Sequence, residues 1–246
     1  MTHTANLLLQ PVFQSPGETK SVNVFEAVES RFSARAFLNR TVSREQIRRI
    51  LERALRAPSG GNLQPWHVYV VAGQPLQELL ALIRERSIEL PRGEMPEYNV
   101  YPRDLHEPYR SRRFKCGEDL YAALGIPRED KPARLRQFAK NLQAFGAPMV
   151  LFFSIDRKMG NNQWAHLGMF MQTIMLLAVE EGLHTCPQEA WSAFHGTVAD
   201  FVKLPEDQLF YCGMAIGYAD LEHPVNRWRT ERAPLEDIAR FLCEPE

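Results

Sequence analysis

The chain has 246 residues, 45% of them hydrophobic and 24% charged, enough to bury a sizeable core and ordinary for a globular protein. Its 29 basic and 30 acidic side chains leave a net charge of −1, which argues against a nucleic-acid footprint. Cys116, Cys186, Cys212 and Cys243 lie far apart with no Cys-x-x-Cys spacing, so neither a zinc knuckle nor a disulfide framework is expected; with no signal-like or membrane-length apolar run at the start, the expected location is the cytoplasm.

Residues 1–20 carry no sustained periodicity and read as an N-terminal arm. From Ser21, the residues Val24, Phe25, Ala27 and Val28 predict a helix capped by Ser21 or Asn23 and ending near Arg31. A second helix is expected over Arg44–Arg56, where Ile47, Ile50, Leu51, Ala54 and Leu55 form a stripe that Pro58 stops. Trp66–Ala72 has the composition of a buried strand, and Pro75 opens a helix to Leu90. Residues 91–116 mix prolines, tyrosines and arginines in a lid-like excursion, with a plain surface loop as the alternative. Helices are then expected at Leu120–Leu124 and Lys131–Phe145, a central strand at Ala147–Ile155 and a buried helix at Trp164–Glu181. A short helix Ala190–Ala199, a strand Leu209–Tyr218 and a closing helix Pro234–Leu242 complete the series, which reads as one mixed α/β layer fold.

Two runs stand out chemically. Arg31, Ser33 and Arg35 alternate, and in an extended segment all three would face one side, two guanidinium forks and a hydroxyl suited to a phosphate; a solvated helix end is the other reading. Ala57-Pro58-Ser59-Gly60-Gly61-Asn62-Leu63-Gln64-Pro65-Trp66 pairs backbone-permissive glycines with amide side chains, chemistry that also serves a simple turn. Cys186 near His184 and His195 matches no standard metal-ligand spacing, and Pro187 is no activating neighbour. The arginines of Asn226–Pro234 read as a solvated face or as anion ligands. No GxGxxG or GxxxxGK[ST] is present, so neither a Rossmann dinucleotide site nor a P-loop is expected.

Arg-x-Ser-x-Arg, the following helix, Ala-Pro-Ser-x-x-Asn-x-Gln-Pro-Trp and Gly182-Leu-His-Thr-Cys-Pro-Gln-Glu-Ala-Trp191 occur in an order that resembles the FMN-dependent nitroreductase family, closest to bacterial nitrobenzoate and nitroaromatic reductases. The resemblance covers nearly everything after residue 22. It implies a single α+β domain over residues 1–246, a central, mostly antiparallel sheet wrapped by helices, in an intertwined homodimer with FMN at the interface. It assigns Arg31 to the phosphate, Ser33 to the ribityl chain or phosphate, and Arg35 to the pyrimidine edge. Pro58, Ser59 and Asn62 would reach the flavin from the neighbouring subunit, the backbone of Pro187, Gln188 and Glu189 would meet N5, and Arg232, with Arg229 as the weaker candidate, would be the second phosphate ligand.

Tyr109, Arg112, Arg113 and Phe114 are expected to line the mouth over the flavin. The implied activity is two-electron ping-pong reduction of nitroaromatics or quinones by NADH or NADPH, with no side-chain catalyst named. A same-fold reductive dehalogenase or flavin-consuming enzyme and a non-catalytic FMN-binding protein are the alternatives.

Overall fold

The computed structural model describes residues 22–243, so the N-terminal arm and Ser21 lie outside the described residues. Four strands, β1 (Trp66–Ala72), β2 (Met149–Asp156), β3 (His184–Gln188) and β4 (Gln208–Gly217), form one sheet in the order β1-β2-β4-β3. Every neighbouring pair is antiparallel. β2, the apolar run expected to be central, is paired on both sides and buried along its length up to Asp156. β3 lies at the edge, where Pro187 removes no ladder donor that an inner neighbour needs.

The sheet separates two cores. On one face Leu151, Phe153, Met214 and Ile216 pack against helices α2 (Arg44–Ala54) and α6 (Asn161–Glu180). There Trp66 stacks flat on Phe170, ring centroids 4.7 Å apart, so that Trp66 is a core residue. On the other face Val150, Phe152, Phe210 and Ala215 meet α3 (Gly73–Glu89), α7 (His195–Val202) and Trp191. No helix of the described residues is long and apolar enough to cross a membrane.

Local chemistry explains the helix starts. In α1 (Val24–Ser30) Asn23 and Glu26 form a reciprocal cap, and Ser43 and Gln46 do the same for α2. Several expected bounds are corrected. Helix α4 spans Tyr109–Ala123, beginning well before the expected Leu120, so the lid-like excursion ends in a helix. Helix α5 (Lys131–Ala139) stops early: the chain tightens into a 3-10 turn, Lys140–Gly146, in which Ala144 and Phe145 take left-handed backbone angles that no α-helix accommodates. The expected helix Ala190–Ala199 is a tight turn, Glu189–Phe194, followed by α7. The closing helix is absent over the described residues: only Leu235–Asp237 turns, and Leu235, Ile238, Phe241 and Leu242 are exposed. A short helix α8 (Pro224–Arg227) precedes it.

The sheet reaches the future site through Gly213. Gly213 pairs with Gln188 in β3, and a Cβ placed on it would lie 2.5 Å from Cδ1 of the fully buried Trp191. Trp191 Nε1 donates in turn to Gln188 Oε1 at 3.3 Å. Gly213→Ala should therefore lower unfolding stability by about 1–3 kcal/mol through overpacking; a urea midpoint equal to that of the native protein would show that Trp191 has room to yield.

Candidate active site

The run Arg31–Phe37 continues the sheet beyond its edge. Ser33 bridges in parallel to Thr185 of β3, Ala34 N–H donates to Thr185 O at 3.0 Å, and Phe37 bridges antiparallel to Ala219, just after β4. The extended backbone puts Arg31 and Arg35 on one side: the buried Cys186 thiol lies within electrostatic reach of both, although burial still pushes its pKa up to about 11.

The C-terminal arginine run is brought to the same place by Asn226, which is 1% exposed. Its Oδ1 accepts from Arg35 N–H at 2.8 Å, and its Nδ2 donates to Ala36 O at 2.7 Å and to Asp220 O at 2.8 Å. Arg229 lies over the Phe32 ring, 4.0 Å from its centroid, and Arg35 lies 6.0 Å from that of Trp228. Arg31 is half-buried; burial, then the positive charge of Arg232, holds its pKa below the usual guanidinium range. Burial and Arg229 likewise depress the pKa of His184.

Among the described residues none of Arg31, Arg35, Arg229 and Arg232 pairs with a carboxylate. Folding has gathered like charges on elements almost 200 positions apart without an internal counter-ion. A dianionic phosphate fits that donor set, because guanidinium forks bind paired oxygens and mutual repulsion is relieved by the anion.

Pro187, Gln188 and Glu189 line a cleft of about 820 Å³ that also meets Tyr98, Tyr101, Arg113 and Tyr211. Gln188 is 2% exposed, its Nε2 donating to Asn141 O at 2.7 Å, so its side chain serves to fix the backbone. Glu189 has a carboxyl whose pKa is raised by burial, opposed by the Tyr211 hydroxyl, which donates to its Oε1 at 3.3 Å. Burial raises the pKa of Tyr211 and of Tyr98 as well, and the Tyr98 hydroxyl donates to Tyr211 O.

Of the four residues expected at the mouth, the cleft receives only Arg113. Tyr109 lines a neighbouring recess, Arg112 turns to Asp237 at 3.6 Å, and Phe114 is exposed beside Arg128. They differ because successive residues on α4 point about 100° apart. Tyr98, Tyr211 and Asn226, all important to this geometry, carry little signal in the sequence: Tyr211 is an aromatic hydroxyl in an apolar strand, Asn226 an amide beside an arginine run, and Tyr98 lies in a mixed, proline-bearing stretch.

Pro58, Ser59 and Asn62 lie elsewhere in the same chain. Their loop rests on the first turns of α6, where Gly60 N–H donates to His166 Nε2 at 3.3 Å, and Ser59 Oγ accepts from Gln64 N–H at 3.0 Å. Asn62 has φ 55°, a left-handed angle that asparagine tolerates. Nothing among the described residues bonds this loop to the arginines, and α1, which leads to them, starts against the last turn of α6 through Val22 N–H and Glu180 Oε2 at 2.8 Å.

Comparison with known proteins bears on the fold and the family. The family model described as Nitroreductase family matches residues 28–218. The chain is 37% identical over 222 residues to the nitrobenzene nitroreductase of Ectopseudomonas oleovorans, covering 89% of this chain and 96% of that protein. It is 38% identical over 223 residues to the 4-nitrobenzoate reductase of Pseudomonas putida, covering 89% and 95%. Among solved structures, the FMN and NADPH-dependent nitroreductase NfnB from Sphigopyxis sp. strain HMH is 47% identical with a TM-score of 0.88, covering 90% of this chain and 100% of that one. The FMN-dependent NfnB from Mycobacterium smegmatis, solved with NADPH, is 30% identical with a TM-score of 0.82, covering 89% and 99%. An antiparallel sheet edged by an arginine-bearing segment, and likeness over nine-tenths of the chain, make this protein a member of the nitroreductase family.

Proposed function

We propose that this protein is a cytoplasmic flavin oxidoreductase that uses NADH or NADPH to reduce nitroaromatic or quinone acceptors. The observation that carries the reading is the set of converging arginines with no carboxylate partner among the described residues, gathered beside strand β3, whose Pro187 and Gln188 line the cleft. Arg31 and Arg232 would hold the phosphate of FMN, with Arg229 beside them, Ser33 the ribityl chain, Arg35 the pyrimidine edge, and the backbone of Pro187–Glu189 the reacting edge of the ring. When bound, the flavin supplies the hydride chemistry in both half-reactions. The side chains of this protein position, stack and set the potential: Arg35 favours negative charge on the ring, and Gln188 and Trp191 fix the backbone beneath it.

The site is completed by a second copy of the chain. Within one chain Pro58, Ser59 and Asn62 rest on the far end of α6 from the start of α1, and α1 presents Val24 and Phe25 to solvent at 71% and 81% exposure. An intertwined homodimer that buries this face and brings the loop to the partner's arginines accounts for both, with each chain folding as one domain over its full length.

Three outcomes are expected. The purified protein should be yellow and bleach when mixed anaerobically with NADPH, and Arg31→Ala or Arg232→Ala should each weaken FMN binding by about tenfold to a hundredfold, as loss of a charge-assisted phosphate contact implies. A protein that holds FMN but does not bleach with either nicotinamide would be a flavin binder. Mixing an Arg31→Ala protein with an Asn62→Ala protein, unfolded and refolded together, should restore FMN to about a quarter of the sites, since half the dimers are mixed and one of their two sites is intact; no recovery beyond the separate variants would place both elements in one subunit.

Glu189 supplies the third. A carboxyl whose folded pKa is raised costs nothing while protonated in both states and destabilises the fold as pH rises from its unfolded pKa through the folded one. Glu189→Gln should accordingly gain stability relative to the native protein as pH is raised from 4 towards neutrality, about the range set by the usual carboxyl pKa. Parallel stability curves over that range would show that Glu189 ionises freely.

A further inference from the structure

We propose that Arg113, seated over the Tyr101 ring, makes the cleft selective for acceptors that carry a carboxylate on the aromatic ring; this rests on the reading of the cleft as the acceptor's site. The Arg113 guanidinium carbon lies 4.0 Å from the centroid of the Tyr101 ring, and both residues line the cleft. The cation–π contact restrains the position of the guanidinium and leaves it N–H donors for a paired-oxygen group, which its fork suits better than a point charge would.

The balance of charge in the cleft supports the same ligand. Arg92 is a second cation on its wall, and neither Arg92 nor Arg113 pairs with a carboxylate among the described residues. The cleft also holds two carboxyl groups, Glu94 and Glu189, and both are taken up elsewhere. Glu94 is spent on the first turn of α7, its Oε2 accepting from Gly196 N–H at 2.6 Å and its Oε1 from Thr197 N–H at 3.1 Å and Thr197 Oγ1 at 2.5 Å. Glu189 is biased towards its neutral form by burial, with Tyr211, Tyr98 and Cys212 as its titratable neighbours and no cation among the causes of its shift. Arg92 and Arg113 are thus the charged groups of the cleft without a carboxylate or donor of their own, whereas Glu94 is held by α7 and Glu189 by the Tyr211 hydroxyl, so the two cations are left to meet a negative substrate. Asp104 shares only the neighbouring recess with Arg113 and does not pair with it.

The anchoring of the cleft wall keeps this geometry in place. Glu94 N–H donates to Ala193 O at 2.7 Å, Glu97 pairs with Arg157 at 2.7 Å, and the Tyr98 hydroxyl reaches Tyr211 O, so the chain entering Tyr101 starts from a pinned segment. Gly93, with φ +76°, permits the close approach: a Cβ there would sit 2.6 Å from Ala193 O.

The test compares 4-nitrobenzoate with its methyl ester, which is matched in ring chemistry but uncharged. The native protein should favour the acid in kcat/KM, and Arg113→Gln should lower the acid-to-ester ratio by about fivefold, the scale of a partly exposed ion pair. Arg113→Lys should retain part of the ratio, and added salt should erode it in the native protein. Calorimetric titration of benzoate into the purified protein reads the same contact without turnover and should weaken by a similar factor in Arg113→Gln. An unchanged ratio together with unchanged benzoate affinity in Arg113→Gln overturns the proposal. A colourless protein that reduces neither compound overturns the flavin reading instead, and the benzoate titration then still decides the role of Arg113.

Discussion

One buried amide organises the candidate site. Asn226 has no apolar role at 1% exposure, yet its three hydrogen bonds join the backbone of Arg35 and Ala36 to Asp220 and so hold the arginine runs from opposite ends of the chain in one register. The lock adds to the bridge of Phe37 to Ala219 and the Asp220 N–H bond to Ala36 O at 3.0 Å, whereas beyond Trp228 the segment reaches α4 through exposed ion pairs. Such exposed pairs hold little. The convergence of like charges therefore depends on a neutral, fully satisfied group beside them, which is the arrangement expected where charges must stay available to a ligand.

The elements legible in the sequence are those whose signal is local. Helix α2 announces itself by a 3.6-residue apolar stripe and a capping box, and β2 by an apolar run that is buried wherever the sheet places it. Strand β3 gave no such signal: His184-Thr185-Cys186-Pro187-Gln188 has little strand composition, and its conformation comes from pairing with β4. Helix α4 was hidden because its start follows a proline-rich run, and the prolines end where the helix begins, at Pro108. The closing helix had the right spacing of apolar residues but nothing among the described residues of the same chain to bury them against, and periodicity without a partner surface does not make a helix.

In the site, residue types were easier to foresee than directions. Alternation in an extended segment put Arg31 and Arg35 on one side because that follows from backbone geometry alone. Which residue of the stretch Tyr109–Phe114 faces the cleft depends on how α4 is rotated about its axis, a tertiary outcome that directs Arg112 to Asp237 and Lys115 to Glu231. The roles of Tyr98 and Tyr211 are equally non-local: each is placed by the other, and by Trp164, whose ring stands 5.4 Å and 5.2 Å from theirs.

The cleft also shows how a protein can keep acidic residues beside an anion-binding surface without losing its positive field. Glu94 gives its charge to the backbone donors of α7, where a carboxylate is stabilised by otherwise unpaired N–H groups. Glu189 is treated in the opposite way: burial without a cation favours its protonated form, and the one hydroxyl that bonds it donates from 3.3 Å, a weak restoring influence. Both carboxyl groups are thus engaged by donors of the fold, while Arg92 and Arg113 of the same cleft have no carboxylate partner among the described residues. Overall charge balance constrains solubility and partners at long range, whereas the local field is decided by which charges have already been consumed by the fold.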